Sequence, residues 1–566
     1  MILSEKSRGK TYIPEIVLFL AIAAFLFLRA PYGYFFDDEP FLLDLAQRLS
    51  MGDRLIVDEW NATQNTGLLI LPVYVLVRNI LGSTEGIMLM CRYCYCICYL
   101  AALVFVYRKL RFCGRRLLFP SMIYLALFSP MDYMTLSYTS ISLMAVLALA
   151  AVIFSDYPDE NKAPLKTGLL SGFLMSIVCL CYPYAVLPLL PALVIALITG
   201  LRKHSRRLLR FTAGVFAAAG VCLAAYLCYL LCGCETSSLP QNIRMILTDP
   251  THKPKNIFSA IPEMLTVLCS AGRSMYILYV PLCLAVILFR KRLKKLRVFV
   301  FAAGLLIWAY SVSPLLFDTK LNLNCQVKDT ALPGLLAYLL LEKRDKRLFF
   351  SFYGVSLAYA YSAYMSSNTG IIAVSQGMST AGFAGMIFIA QLASELKEQY
   401  PPRTFRRLAA LGVVSLMLIF QIGLEIRVRL DYTYWDDHLY NLTQRIESGP
   451  GKGIITTEEN AEKYSRTAEN FAALMDSENT APEGKTLMTT TPWVYLLADM
   501  RCGGYSVWTL GDETVYSKQQ QYCRINGKEM PDYIFLENAL ALSGETPEGY
   551  DKREYGGSVL LIKRDQ

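Results

Sequence analysis

Charge is scarce in this chain. Asp, Glu, Lys and Arg make up 18% of its 566 residues, against about 25% in an ordinary soluble domain. Hydrophobic residues reach 54%, and mean hydropathy is +0.36. Such a composition excludes disorder, collagen and a small disulfide scaffold. A chain this apolar has no soluble core large enough to hide its surplus, so it reads as a polytopic membrane protein. Histidine is scarcer still, with only His204, His252 and His438. Sixteen cysteines do not make up for it. Cys91, Cys94, Cys96 and Cys98 lie inside an apolar run with no second half at zinc spacing. They read as small packing residues, and no metal site is expected from Cys or His. No fixed-period repeat appears. No small-residue cleavage site follows the first apolar run, so a cleaved signal peptide is not expected. Midspan acids and lysines are missing too, which argues against an ion-coupled carrier but leaves a lipid flippase open.

What charge there is has a pattern. Residues 425–566 hold 15 basic and 23 acidic residues, a net −8, and residues 1–424 carry +17. The basic excess sits in short clusters between apolar runs, as in cytoplasmic loops, and does not form a nucleic-acid patch. Thirteen runs of membrane-spanning character extend from 12–30 to 407–424, including the short 117–130 and 331–341. A further segment, 66–81, has 11 unbroken apolar residues before Arg78. If it does not cross, the clusters at 6–10, 108–116, 202–210, 290–297, 343–347 and 397–407 all fall on one side. It therefore reads as a re-entrant or interfacial helix. The expected protein is multi-pass in the plasma membrane, with a cytoplasmic N-terminus and an outer C-terminus. The outer face then holds loops 31–85, 233–273 and 317–330.

The acidic tail, 425–566, alternates short apolar runs at 454–457, 486–491, 533–538 and 558–563 with a helical stretch at 459–475. Strands interleaved with helix predict a small extracytoplasmic α/β domain. Cys502 and Cys523 are its only cysteines; a disulfide between them stays open on sequence grounds.

Two stretches of the first outer loop carry chemistry. Asp37-Asp38-Glu39-Pro40 follows the first span. Pro40 suits a first helical position, and Asp38 or Glu39 suits a cap. Phe41, Leu42, Leu45, Ala46 and Leu49 then share one face, with Asp44, Gln47 and Arg48 on the other, so an amphipathic helix should lie along the membrane surface. The acids are either a capped, solvated helix start or a general base, with a divalent cation as the one cofactor they would suit. Further on, Asp58, Glu59, Trp60, Asn61 and Gln64 mix an aromatic ring with polar groups, as a sugar site does. An interfacial aromatic belt explains the same residues.

The Asp38-Glu39 pair on an amphipathic helix after span one, with a second polar stretch leading into a short apolar helix, resembles the GT-C glycosyltransferases. The closest subtype is the group that includes the protein O-mannosyltransferases and the lipid A aminoarabinose transferase. This chain departs from them at 58–64, where they carry Pro-Pro after His or Lys. The resemblance implies an all-α polytopic bundle of about thirteen transmembrane helices over 1–424 with the α/β domain at 425–566. It implies a polyprenyl-phosphate-linked sugar donor, a glycan, lipid or protein acceptor, and contact with membrane lipid. Asp38 would take the acceptor proton, with Asp37 and Glu39 beside it. A leaving phosphate needs cationic help. Arg273, then Lys320, are the candidates in the outer loops, where His252 also lies; each alone also reads as an interfacial snorkelling residue. The rival readings are a flippase of lipid-linked glycans and a purely structural role for the tail.

Overall fold

The computed structural model describes residues 12–129, 133–156, 163–232, 237–248, 255–270, 275–312, 326–399, 405–431, 434–476, 484–508, 515–538 and 547–564. The first half contains α1 (Ile13–Arg29), α2 (Asp38–Ser50), α3 (Thr66–Leu81), α4 (Ile87–Leu110), α5 (Arg115–Leu127), α6 (Tyr138–Asp156), α7 (Pro164–Cys181), α8 (Val186–Arg202) and α9 (Arg206–Leu231). Then come α10 (Leu239–Leu247), α11 (Ala260–Ser270), α12 (Met275–Leu288), α13 (Arg290–Leu293), α14 (Arg297–Val312) and α15 (Gln326–Leu340). The bundle closes with α16 (Lys346–Phe349), α17 (Val355–Ser366), α18 (Ile371–Gly377), α19 (Ser379–Gln399) and α20 (Phe405–Asp431). A π-helical turn at Phe350–Gly354 joins α16 to α17. The chain is a multi-pass membrane protein. Among the described residues, five helical stretches are long and apolar enough to cross by length and composition: Ile87–Cys113, Tyr138–Asp156, Pro164–Cys181, Pro183–Arg202 and Arg206–Leu231.

Several boundaries differ from the sequence reading. The run at 117–130 forms only the 13-residue α5, and 370–393 is divided between α18 and α19. The last helix continues to Asp431, past the expected domain boundary at 424. Hydropathy sees only apolar content, whereas a helix carries on through polar residues while its backbone bonds are made.

Small residues let α7 and α9 touch backbone to backbone. A methyl built on Gly172 would lie 2.4 Å from the Val215 carbonyl oxygen, and one on Gly168 2.1 Å from that of Phe211. Without a hydrophobic drive between helices in lipid, such close packing is what holds them together. Gly172→Leu is expected to force the pair apart and cost at least about 1–3 kcal/mol. A fall in the thermal midpoint of the detergent-solubilised protein would register it; an unchanged midpoint would disprove the contact.

The C-terminal domain matches the expected class. Its main sheet has the order β4 (Arg501–Cys502), β3 (Thr486–Thr489), β5 (Tyr533–Leu536), β7 (Ser558–Lys563), β6 (Tyr550–Tyr555). Strand β3 is parallel to β4 and β5, and β7 is antiparallel to β5 and β6. Helices α21 (Glu458–Asp476), α22 (Trp493–Ala498) and α23 (Val515–Asn526) complete it. The run at 454–457 does not join this sheet. Its β2 (Ile455–Thr456) pairs with β1 (Gln444–Arg445) in a separate ribbon. Cys502 and Cys523 are both free thiols, each near a backbone carbonyl, of Gly504 and of Glu529.

This domain sits on the end of the bundle where α1 finishes. The Gly33 amide donates to the Ile455 carbonyl and the Ile455 amide to that of Pro31, both at 2.8 Å. Both ends of α3 meet the same domain. Trp60, just before it, donates its amide to the Tyr505 carbonyl at 2.9 Å. Arg78, in its last turn, makes a two-pronged pair with Asp499 at 2.6 Å. Helix α3 therefore runs beneath the domain, not away from it.

Candidate functional site

The acids stand where the first loop turns into α2, between the bundle and the domain. Helix α2 begins at Asp38, with Asp37 in the cap position, but no side chain caps it. The expected cap role of Glu39 is not what the fold uses. The Glu39 carboxylate is fully buried and takes two hydrogen bonds from Arg92 of α4, at 2.6 and 2.5 Å. Arg92 also donates to the Ala30 carbonyl at 2.9 Å, and its guanidinium lies 3.6 Å from the Tyr434 ring centroid. An arginine this deep needs both its charge and its donors met, and the paired carboxylate is what fixes α2 to the bundle.

With Glu39 committed, Asp38 is left over. It is half-buried and has no hydrogen-bond or ion-pair partner among the described residues. Burial, reinforced by the neighbouring Asp37, pushes its carboxyl up to about 7. Asp37 is more open. Its carboxyl is also raised, first by the surrounding protein and further by Glu537, against the pull of Lys463. Lys463 itself pairs with Glu537 at 3.6 Å and lies over the Phe36 ring. The domain thus brings a cation to the acids.

The wall opposite is aromatic. Phe35 stacks on both Tyr133 and Trp435, with centroids 6.1 and 6.3 Å away. Tyr133 is wholly buried and within electrostatic range of Asp38. Two arginines hold the segment that carries it. Arg429 donates to the Leu127 carbonyl at 2.5 Å and to that of Ser129 at 3.3 Å. Arg29 donates to the Arg429 carbonyl at 3.1 Å. Both satisfy carbonyls left over at helix ends.

The stretch 58–64 is used differently. Asp58 pairs with Lys528 and accepts from the Arg54 amide. Glu59 accepts from Arg48 at 3.1 Å and from the Val507 and Asn61 amides. Trp60 donates to Asn242 at 2.7 Å and packs on Tyr505 and Tyr522. The Asn61 side chain binds Thr63, and Gln64 accepts from the Ile56 amide. These polar atoms tie the loop to itself, to α2, to α10 and to the domain, leaving little for a sugar hydroxyl. They also gather at Arg48, ten positions along α2 from Asp38, or roughly 15 Å at the helical rise. The fold does not bring the two stretches together. His252, Arg273 and Lys320 lie outside the described residues.

Helix α2 is not the expected surface helix either. Every residue from Glu39 to Arg48 is buried, because the domain covers the face that the sequence leaves polar. Gln47 donates to the Tyr495 carbonyl and to Asp499, and Arg48 to Asp53 and the Gly504 carbonyl. Asp44 is enclosed with neither oxygen bonded; burial, then Glu59, raises its carboxyl well above the usual carboxylate range.

Sequence reasoning missed Arg92 as Glu39's partner, and Lys463, Tyr133 and Tyr434. Only Arg92 left a signal, as a lone arginine inside a span. Among the described residues no group of three or more His, Cys, Asp or Glu is arranged to hold a metal ion.

No protein-family model matches the chain, and no curated protein matches its sequence. Solved structures do resemble it. The apo oligosaccharyltransferase of Archaeoglobus fulgidus superposes with a TM-score of 0.50 over 94% of this chain and 70% of that one, at 12% identity. ArnT from Cupriavidus metallidurans, solved bound to undecaprenyl phosphate, gives 0.48 over 97% and 98%, at 10% identity. The chain has the GT-C glycosyltransferase fold. At such identity the likeness is one of architecture.

Proposed function

We propose that this protein is a membrane glycosyltransferase that moves a sugar from a polyprenyl-phosphate donor to an acceptor hydroxyl, with Asp38 as general base. One observation carries the reading: on a GT-C fold, Asp38 is the acid that the helix anchor leaves free, and its environment raises it to about 7. A base needs a pKa near its working pH and an open lone pair. The acceptor hydroxyl gives its proton to Asp38 as its oxygen bonds to the anomeric carbon. The bond from that carbon to the phosphate oxygen breaks, and polyprenyl phosphate leaves. Lys463 is the described cation beside the acids, and Arg273 and Lys320 stay candidates for the leaving phosphate. The donor class rests on the Asp38-Glu39 resemblance.

The same reading sets the topology. Thirteen passes run alternately between the two ends of the bundle, with α2 and α3 kept at the domain end. The described basic clusters then gather at the other end, which is the cytoplasmic one by the positive-inside rule. Acids and domain face outward.

The test is transfer by the reconstituted full chain, with polyprenyl-phosphate sugars as donors and product read as glycosylated acceptor. Because Asp38 must be ionised to act, transfer should rise with pH and level off above about 7. A profile flat from about pH 5.5 to 8.5 would remove Asp38 from the role. Movement of lipid-linked sugar across vesicles with no glycosylated product would favour the flippase.

A further inference from the structure

A large cavity lies far from the acids. It has a volume of about 1930 Å³ and opens at the end of the bundle opposite the C-terminal domain. Ordinary ligand pockets hold about 300–1,000 Å³. One wall is apolar, formed by Ile16, Phe19 and Leu20 of α1 with Leu100 and Val104 of α4. Ile16 and Leu20 are 55% and 64% exposed, on the outside of a membrane helix. The rim is cationic. Arg108, Arg111 and Arg116 sit where α4 turns into α5, all three exposed.

The charges on this rim are not balanced. Arg115 has Glu15 at 2.5 Å, and Arg347 has Asp345 at 3.2 Å. Arg108, Arg111 and Arg116 have no acidic partner among the described residues. Three unneutralised guanidinium groups meet an apolar wall that is continuous with lipid. A soluble anion has no use for the wall, and a neutral lipid has none for the arginines. The volume admits two acyl chains.

We infer that this cavity is a binding site for an anionic diacyl phospholipid, with its phosphate among Arg108, Arg111 and Arg116 and its chains along α1 and α4. Arginine matches phosphate oxygens through paired N–H donors. The inference needs only that the bundle is in a membrane, not that Asp38 catalyses transfer.

The experiment is native mass spectrometry of the full chain in neutral detergent, titrated separately with dioleoyl phosphatidylglycerol, dioleoyl phosphatidylcholine, undecaprenyl phosphate and soluble glycerol phosphate. Phosphatidylglycerol should be retained well above the other three. The triple variant R108Q/R111Q/R116Q should weaken its retention by on the order of 100-fold, given the usual contribution of each basic side chain at an anionic surface. Ala23 lines the same wall on α1, and Ala23→Trp, which narrows it without touching charge, should weaken retention too. Equal retention of phosphatidylcholine would overturn the anionic part. Equal binding of glycerol phosphate would reduce the cavity to an anion site, and preference for undecaprenyl phosphate would assign it to a single-chain carrier. Full retention by both variants would refute the site. None of these readouts depends on transfer, so they stand or fall apart from the proposed activity.

Discussion

Asp38→Asn is expected to lower sugar transfer by about 10²–10⁴-fold in a protein that still folds and inserts. Asparagine matches the size and polarity of the neutral acid, and the side chain holds no partner among the described residues that the change would strand. The folded carboxyl is raised to about 7 from an ordinary 3.8. Between those values the folded state binds the extra proton, so Asp38 makes the protein less stable as pH rises through that window. The asparagine variant loses this dependence and should be at least as stable as the parent above pH 7. Asp37→Asn should cost much less activity, since Asp37 is the more open group and faces Lys463. Near-normal transfer by Asp38→Asn with loss in Asp37→Asn would move the base by one residue. If neither matters, the flippase reading replaces the enzyme.

The Glu39–Arg92 pair should show the largest effect on stability. Glu39→Leu or Arg92→Leu alone leaves one charge enclosed without its partner, at an expected cost of about 3–5 kcal/mol. The double Leu variant removes both and should recover most of that loss, because two buried charges return little net stability over apolar residues. Activity should not recover with it. Without the pair, nothing ties the start of α2 to Ala30 and Tyr434 through Arg92, and Asp38 loses its fixed position. Unfolding midpoints and transfer rates on the three variants separate the two roles. Singles that cost less than about 1 kcal/mol, or a double no more stable than its singles, would refute the account.

Much of the frame was legible beforehand. Apolar runs marked most of the helices of the bundle. Runs at 486–491, 533–538 and 558–563 anticipated β3, β5 and β7, and 459–475 anticipated α21. Each of these signals is local: a strand or helix face is written in neighbouring residues, and burial enforces it. Strands β4 and β6 escaped, the first being two residues long and the second almost wholly exposed. Hydrophobic patterning carries nothing about such strands.

The site was legible only in part. Local sequence placed Asp37, Asp38 and Glu39 at a helix start, and there its information stopped. Which acid is free depends on Arg92, 53 positions away, and on Tyr434, brought in by the last helix. The polar face of α2 looked solvated because nothing nearby in the chain predicts that Tyr495, Asp499 and Gly504 will cover it. Trp60 and its neighbours looked like a sugar site for the same reason, since their partners are Asn242, Tyr505 and Lys528. Sequence determined the membrane class, the helices and the stretch of acids, because propensity, hydropathy and charge act over a few residues. Tertiary structure decided which polar groups are spent and which is left free, because desolvation and pairing depend on what the distant chain brings into contact.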